Sequence, residues 1–96
     1  MLTRIVKLKF KPEHISDFEA LFHEVEGYIR DYEGFQSIEL LQDMNDPSIF
    51  FTYSKWNSET DLNAYRESVF FTKVWAKVKL YFSEKPQVWS VQQKNG

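Results

Sequence analysis

Few side chains in this 96-residue chain can carry chemistry, and most of those are aromatic. Cysteine is absent, which removes disulfides, thiolate nucleophiles and Cys-ligated metals together. The two histidines are His14 and His23. On a helical wheel of 3.6 residues per turn, His23 falls about 130° from the middle of the apolar stripe and should face solvent. His14 sits in the first turn of the same segment, near its flank, and reads as a surface residue and not a base. There is no Gly-rich phosphate loop, no nucleophile elbow and no metal-ligand spacing. What remains is Arg4 with Tyr53, Tyr65, Phe71 and Trp75. At 18% aromatic residues the chain holds more rings than a core of this size needs, so some can line a cavity. That cavity would be mostly apolar with a few donors: the phenols, the Trp75 indole and the Arg4 guanidinium. The competing reading is a set of core residues with polar tips at the rim, Arg4 reaching out to water. No residue stands out as a general base.

The elements that must position these residues follow from periodicity. Leu2 to Phe10 alternates as a strand, with Arg4, Val6, Leu8 and Phe10 on one face and Ile5, Lys7 and Lys9 on the other. Pro12 suits the first position of a helix, with Glu13 in its first turn. Ile15, Phe18, Phe22, Val25 and Ile29 then recur at helical spacing, widened by Leu21. The helix should stop near Tyr32, with Gly34 as its cap. Phe35 to Gln42 and Ser48 to Trp56 read as two strands joined by the turn DMNDPS. Ser58 opens a short helix in capping-box form, with Asp61 in the acidic position and Leu62 and Tyr65 on its inner edge. Ser68 caps another that runs to about Phe82, its stripe being Phe71, Val74, Trp75, Val78 and Phe82. Gln87 to Gln93 is a last strand, and the final KNG a loose tail. The order is β-α-β-β-α-β with the second helical region split in two. It predicts an α+β, ferredoxin-like sandwich: a four-stranded antiparallel sheet with its helices on one face. Residues 1–96 form a single domain.

The strand SIFFTYSKW, at Ser48 to Trp56, is apolar on both faces. With a hairpin turn centred between Asn45 and Asp46, Leu41 lies across from Phe50 and Phe35 across from Trp56. Ile38, Leu40, Phe51 and Tyr53 then join the helix side. Ile5, Phe35, Leu41, Phe50 and Trp56 are left on the helix-free side as an exposed patch larger than a monomer usually carries. The simplest cover is a second copy of the sheet about a two-fold axis, so these five residues are expected to form a homodimer interface. The formal net charge of −2, with both signs interspersed, offers no footprint for nucleic acid. MLTRIVKLKF has no apolar signal-peptide region, and no apolar run reaches membrane-spanning length. A soluble, cytoplasmic protein is expected.

Three stretches, TRIVKLKFKPEH, EGFQSIELLQDMNDPSIFFTYSKWNSETDLNAYRES and FFTKVW, resemble the antibiotic-biosynthesis-monooxygenase-like domains, the dimeric α+β barrel group. The likeness spans nearly the whole chain and is most specific from Trp56 through Tyr65 to Ser68–Trp75. It implies a ferredoxin-like fold, a dimeric α+β barrel joined through its sheets, and a pocket between helices and sheet. Characterised members include cofactor-free oxygenases of quinols and anthrones, haem-degrading enzymes and enzymes of small signalling metabolites. The haem-degrading members ligate iron with a histidine late in the second helical region, where this chain has Trp75, which cannot ligate. The resemblance therefore implies a monooxygenase that uses O2 on a small hydroxylated aromatic without flavin, haem or metal. Trp75 and Tyr65 are its expected catalytic residues, and Arg4, Tyr53 and Phe71 bind the substrate. The alternatives are a non-catalytic ligand-binding or dimerisation module, and an isomerase-type enzyme on a small metabolite. Fold does not settle chemistry, so function must be argued from the site.

Overall fold

The computed structural model describes residues 1–95. β1 (Leu2–Lys9) leads through a 3₁₀ turn at Pro12–His14 into α1 (Ile15–Ile29). β2 (Phe35–Gln42) and β3 (Ile49–Trp56) form the hairpin, α2 (Glu59–Arg66) and α3 (Val69–Val78) follow, and β4 (Gln87–Val91) closes the sheet after a second 3₁₀ turn at Lys79–Tyr81. The sheet is antiparallel throughout, in the order β2-β3-β1-β4. This is the ferredoxin-like arrangement that the element order predicts.

Local chemistry sets the boundaries. Pro12 opens a 3₁₀ turn instead of α1 itself, and Ile15 begins the α-helix. α1 ends at Ile29, and the amides of Asp31 and Tyr32 then reach back to the carbonyls of Tyr28 and Ile29. Gly34 is not the cap of α1. It has a positive φ (81°) where the chain turns into β2. Ser58 accepts from the Asp61 amide at 3.2 Å, while its hydroxyl donates to the Asp61 carboxylate at 3.0 Å, so α2 starts where the capping box predicts. Ser68 accepts from the Phe71 amide at 3.1 Å and donates to the Tyr65 carbonyl at 2.6 Å. That one serine both caps α3 and fastens it to the end of α2. α3 stops at Val78, short of Phe82. β4 stops at Val91, short of Gln93. The last residue of the expected tail, Gly96, lies outside the described residues.

The core lies between helices and sheet in two joined clusters. Leu8, Phe10, Phe18, Leu21, Phe22, Phe50 and Val78 form one. Val25, Ile29, Trp56, Leu62 and Tyr65 form the other. Among the described residues every buried side-chain nitrogen and oxygen has a hydrogen-bond partner, as a stable interior requires.

The β2–β3 register corrects the expected sorting of faces. The loop closes around Asp46: its amide donates to Asp43 Oδ2, and its Oδ1 accepts from the Ser48 amide and hydroxyl. Leu41 therefore pairs with Phe51, not Phe50. That shift of one residue turns β3 over. Phe50 (3% exposed) and Trp56 (1%) are core residues on the helix side, not interface residues. Phe51 and Tyr53 move to the helix-free side, where Tyr53 and Leu41 share a face with Ile5. Phe35 still faces Trp56, because the ladder shifts between Phe35 and Ser37 and leaves Gln36 unpaired. This bulge puts Phe35 against the second core cluster, so it too leaves the expected interface. Only Ile5 and Leu41 of the five stay on the helix-free side, joined across the ladder by Phe51, Tyr53 and Trp89.

Candidate functional site

A cavity of about 370 Å³ lies between the helix face of the sheet and the three α-helices. Its floor follows from the corrected register. One row across the sheet reads Ile38, Ser54, Arg4 and Ser90, and the next reads Leu40, Thr52, Val6 and Val88; all but the outer Ser90 and Leu40 line the cavity. Small or polar residues at Thr52 and Ser54, set between the large Phe50 and Trp56 on the same face of β3, leave room above the middle of the sheet. Its walls are apolar side chains of α1, Leu62 and Tyr65 of α2, and Phe71, Val74 and Trp75 of α3.

The break between α2 and α3 shapes one wall. Because Ser68 ties the two helices end to end, Tyr65 from the last turn of one meets Phe71 from the first turn of the other, ring centroids 5.2 Å apart and nearly perpendicular. Phe71 stacks on Trp75 at 5.9 Å with 9° between planes, and Tyr65 stacks on Trp56 at 5.2 Å. The result is a continuous aromatic wall, Trp56–Tyr65–Phe71–Trp75, suited to a flat ring.

Its polar points are few. The buried Trp56 indole donates to Ser54 Oγ at 3.2 Å and is thereby satisfied inside the protein. Neither the Tyr65 hydroxyl nor the Trp75 indole bonds to another group among the described residues, and neither is fully enclosed, so both are left to donate into the cavity that their side chains line. Burial, with a smaller contribution from Tyr32, pushes the Tyr65 phenol well above its ordinary range. It therefore stays a neutral donor at any working pH. Arg4 Nη1 donates to Ser90 Oγ at 2.8 Å, which fixes the guanidinium at the end of the floor. Arg66, the last residue of α2, lines the same end from above. Burial first, and the charge of Arg66 second, lower the Arg4 pKa.

Of the residues expected to form a site, Arg4, Tyr65, Phe71 and Trp75 line this one cavity. Tyr53 does not. It lies on the opposite face of the sheet, with the Lys55 ammonium 5.9 Å from its ring centroid. Sequence reasoning missed Arg66, Thr52 and Ser54. Arg66 follows Tyr65 at the helix end, and a wheel of only eight residues does not show that it reaches the cavity. Neither histidine lines the cavity: His23 is exposed, and His14 lies 2.9 Å from Asp17 and stacks on Tyr81. Among the described residues no carboxylate lines the cavity either, and no group of three or more His, Cys, Asp or Glu side chains is placed to hold a metal. No helix among them is long and apolar enough to cross a membrane.

No curated protein matches this chain by sequence. Among solved structures, one described as an antibiotic biosynthesis monooxygenase superposes with a TM-score of 0.92 at 21% identity, covering 99% of this chain and 100% of that one. A conserved protein from Methanosarcina mazei Go1 gives 0.91 at 20% identity, covering 98% and 94%. Rv0793 from Mycobacterium tuberculosis gives 0.90 at 17% identity, covering 99% and 96%. At such identities these likenesses speak for the fold alone. The family model described as antibiotic biosynthesis monooxygenase matches residues 1–77, from β1 through Trp75 and most of α3. With sheet, split helix and cavity wall all inside or against that span, the chain belongs to the antibiotic biosynthesis monooxygenase family.

Proposed function

We propose that the protein is a cofactor-independent monooxygenase that uses O2 on a small hydroxylated aromatic of quinol or anthrone type. The observation that carries this reading is the cavity itself: a space of about 370 Å³ walled by aromatic rings in contact, with unengaged donors at Tyr65 and Trp75 and a cationic end. A flat substrate fits against the wall. Its hydroxyl or enol oxygen meets the phenol and indole N–H, both preorganised in a site that excludes most water. The field of Arg4 and Arg66 favours the substrate anion and lowers its pKa, so the proton can leave to water at the open end without a protein carboxylate or imidazole. The electron-rich anion gives one electron to O2. The radical pair combines to a carbon peroxide, and loss of water leaves a carbonyl. An anthrone CH2 and one O2 thus give C=O and one H2O.

A second reading rests on the lack of any acid or histidine in the cavity lining: a module that binds the same ligands without turnover. An oxygen electrode separates the two. Oxygen uptake with no added cofactor, matched by conversion of an anthrone to its anthraquinone or by insertion of one oxygen atom into a quinol, supports the oxygenase. Tight binding without uptake supports the module, and product without uptake points to isomerisation.

The helix-free face belongs to the same proposal. Ile5, Leu41, Phe51, Tyr53 and Trp89 form a contiguous band across all four strands, with Leu41 46% and Trp89 45% exposed. A second sheet packed on this band about a two-fold axis gives a homodimer with one cavity on each outer side.

A further inference from the structure

We propose that this cavity selects ligands bearing a carboxylate, gripped between Arg4 and Arg66 while the aromatic part lies against the Trp56–Tyr65–Phe71–Trp75 wall. The proposal names the substrate class of the site described above and rests on the cavity being a ligand site. It does not depend on oxygen chemistry.

The chain has three arginines, Arg4, Arg30 and Arg66, and two of them line this one cavity. No acidic residue lines it with them. The ion pairs formed among the described residues are Lys9 with Asp46 and Glu84, and His14 with Asp17, so neither cavity arginine is neutralised inside the fold. This happens in a chain whose net charge is −2, where acids outnumber bases. Two like charges placed together beside apolar surface are unfavourable unless something anionic sits between them. Burial first, and the charge of Arg66 second, lower the Arg4 pKa, in keeping with the two cations standing near each other.

The geometry suits a carboxylate. Arg4 is half-buried on the floor and held by Ser90 at 2.8 Å through Nη1, which leaves its other N–H groups available. Arg66 is exposed at the end of α2 and lines the cavity from that side. A guanidinium anchored on the sheet and an exposed one at the end of α2 make a two-point clamp for a planar anion. Ser54 and Ser90 flank Arg4 on the same row of the sheet, which gathers hydrogen-bonding groups around the guanidinium.

The test compares 2-naphthoate with its neutral isostere 2-naphthalenemethanol by calorimetry under argon, where no turnover can occur. The wild-type protein is expected to bind the carboxylate about 10-fold more tightly, with a preference that shrinks as salt is raised. Arg4→Gln and Arg66→Gln should each erase most of that preference and leave the affinity for the alcohol unchanged, while Arg30→Gln changes neither. Equal binding of the two compounds by the wild type overturns the proposal and leaves the aromatic cavity standing. So does a preference that persists in both cavity variants. Binding of neither compound overturns the proposal together with the reading of the cavity as a site for aromatic ligands. The oxygenase reading falls separately, on the oxygen electrode.

Discussion

Phe35 and Trp56 face each other edge-on across β2 and β3, ring centroids 5.4 Å apart, because Gln36 is left out of the ladder between them. Without that bulge Phe35 would lie on the opposite side of the sheet from Trp56. Trp56 is 1% exposed and also stacks on Tyr65, so it joins the hairpin, the bulge and α2 in one cluster. Trp56→Ala is expected to cost about 3–5 kcal/mol of stability. A urea titration should show the midpoint falling with an unchanged slope, and a loss under 1 kcal/mol would contradict this packing.

The corrected faces give a sharp test of the proposed dimer. Light scattering at micromolar concentration should report twice the chain mass of 11.5 kDa. Leu41→Glu with Phe51→Glu places charges on the helix-free band and should yield a folded monomer. Phe50→Lys buries a lysine at a site 3% exposed and should unfold the chain instead of splitting a dimer. A wild-type monomer would remove the sheet-to-sheet association. A folded, monomeric Phe50→Lys would show that the register is wrong.

What the sequence reveals of this fold depends on how unequal the two faces of each element are. α1 was legible because its apolar residues fall on one side only, and Phe18, Phe22, Val25 and Ile29 are indeed buried. The serines at 58 and 68 were legible because a cap is a local hydrogen bond, independent of the rest of the fold. β3 was not legible, since it is apolar on both faces and its register rests on features that leave no periodic trace: a loop closed by Asp43, Asp46 and Ser48, and a bulge at Gln36. The site inherits that division. Tyr65, Phe71 and Trp75 came from helices and were placed together. Tyr53 came from β3 and landed on the wrong face, while Thr52 and Ser54, which create the space, fell with Phe50 and Trp56 on the expected helix-free interface.

The two glycines flanking the end of α1 should respond in opposite directions to alanine. Gly34 has φ 81°, and a Cβ built there would collide with the Asp61 side chain that helps cap α2. Gly34→Ala should cost about 1–3 kcal/mol, from backbone strain and displacement of Asp61. Gly27 lies inside α1, where an added Cβ meets nothing within 4 Å. Gly27→Ala should stabilise by about 0.5–1 kcal/mol. Thermal melts of both variants decide this, and a neutral Gly34→Ala would mean that this turn is not held as described.

For the oxygenase, Tyr65→Phe and Trp75→Phe keep the rings of the wall and remove its free donors. Each should lower turnover of an accepted quinol or anthrone by about 10–100-fold with little change in melting temperature. Because burial keeps the Tyr65 phenol protonated, Tyr65→Phe should scale the pH–rate profile down without deleting an ionisation from it. Unchanged turnover in both variants would take these residues out of the mechanism.

The same phenol makes a prediction about stability in alkali. Its ordinary pKa of 10.0 applies to the unfolded chain, and burial raises it in the folded protein. Below pH 10 both states hold the proton and the stability is fully present. Above it the unfolded chain releases the proton while the folded one retains it, so unfolding gains and stability falls as pH rises. For one such group the limiting slope is about 1.4 kcal/mol per pH unit. Lysines titrate in the same range, which makes the comparison between variants the informative quantity. Urea midpoints at pH 9 and pH 11 should show the wild type losing about 1 kcal/mol more than Tyr65→Phe. Equal losses would mean that the hydroxyl is hydrated through the cavity, and the site would then have to be read as wet at its aromatic wall as well as at its arginine end.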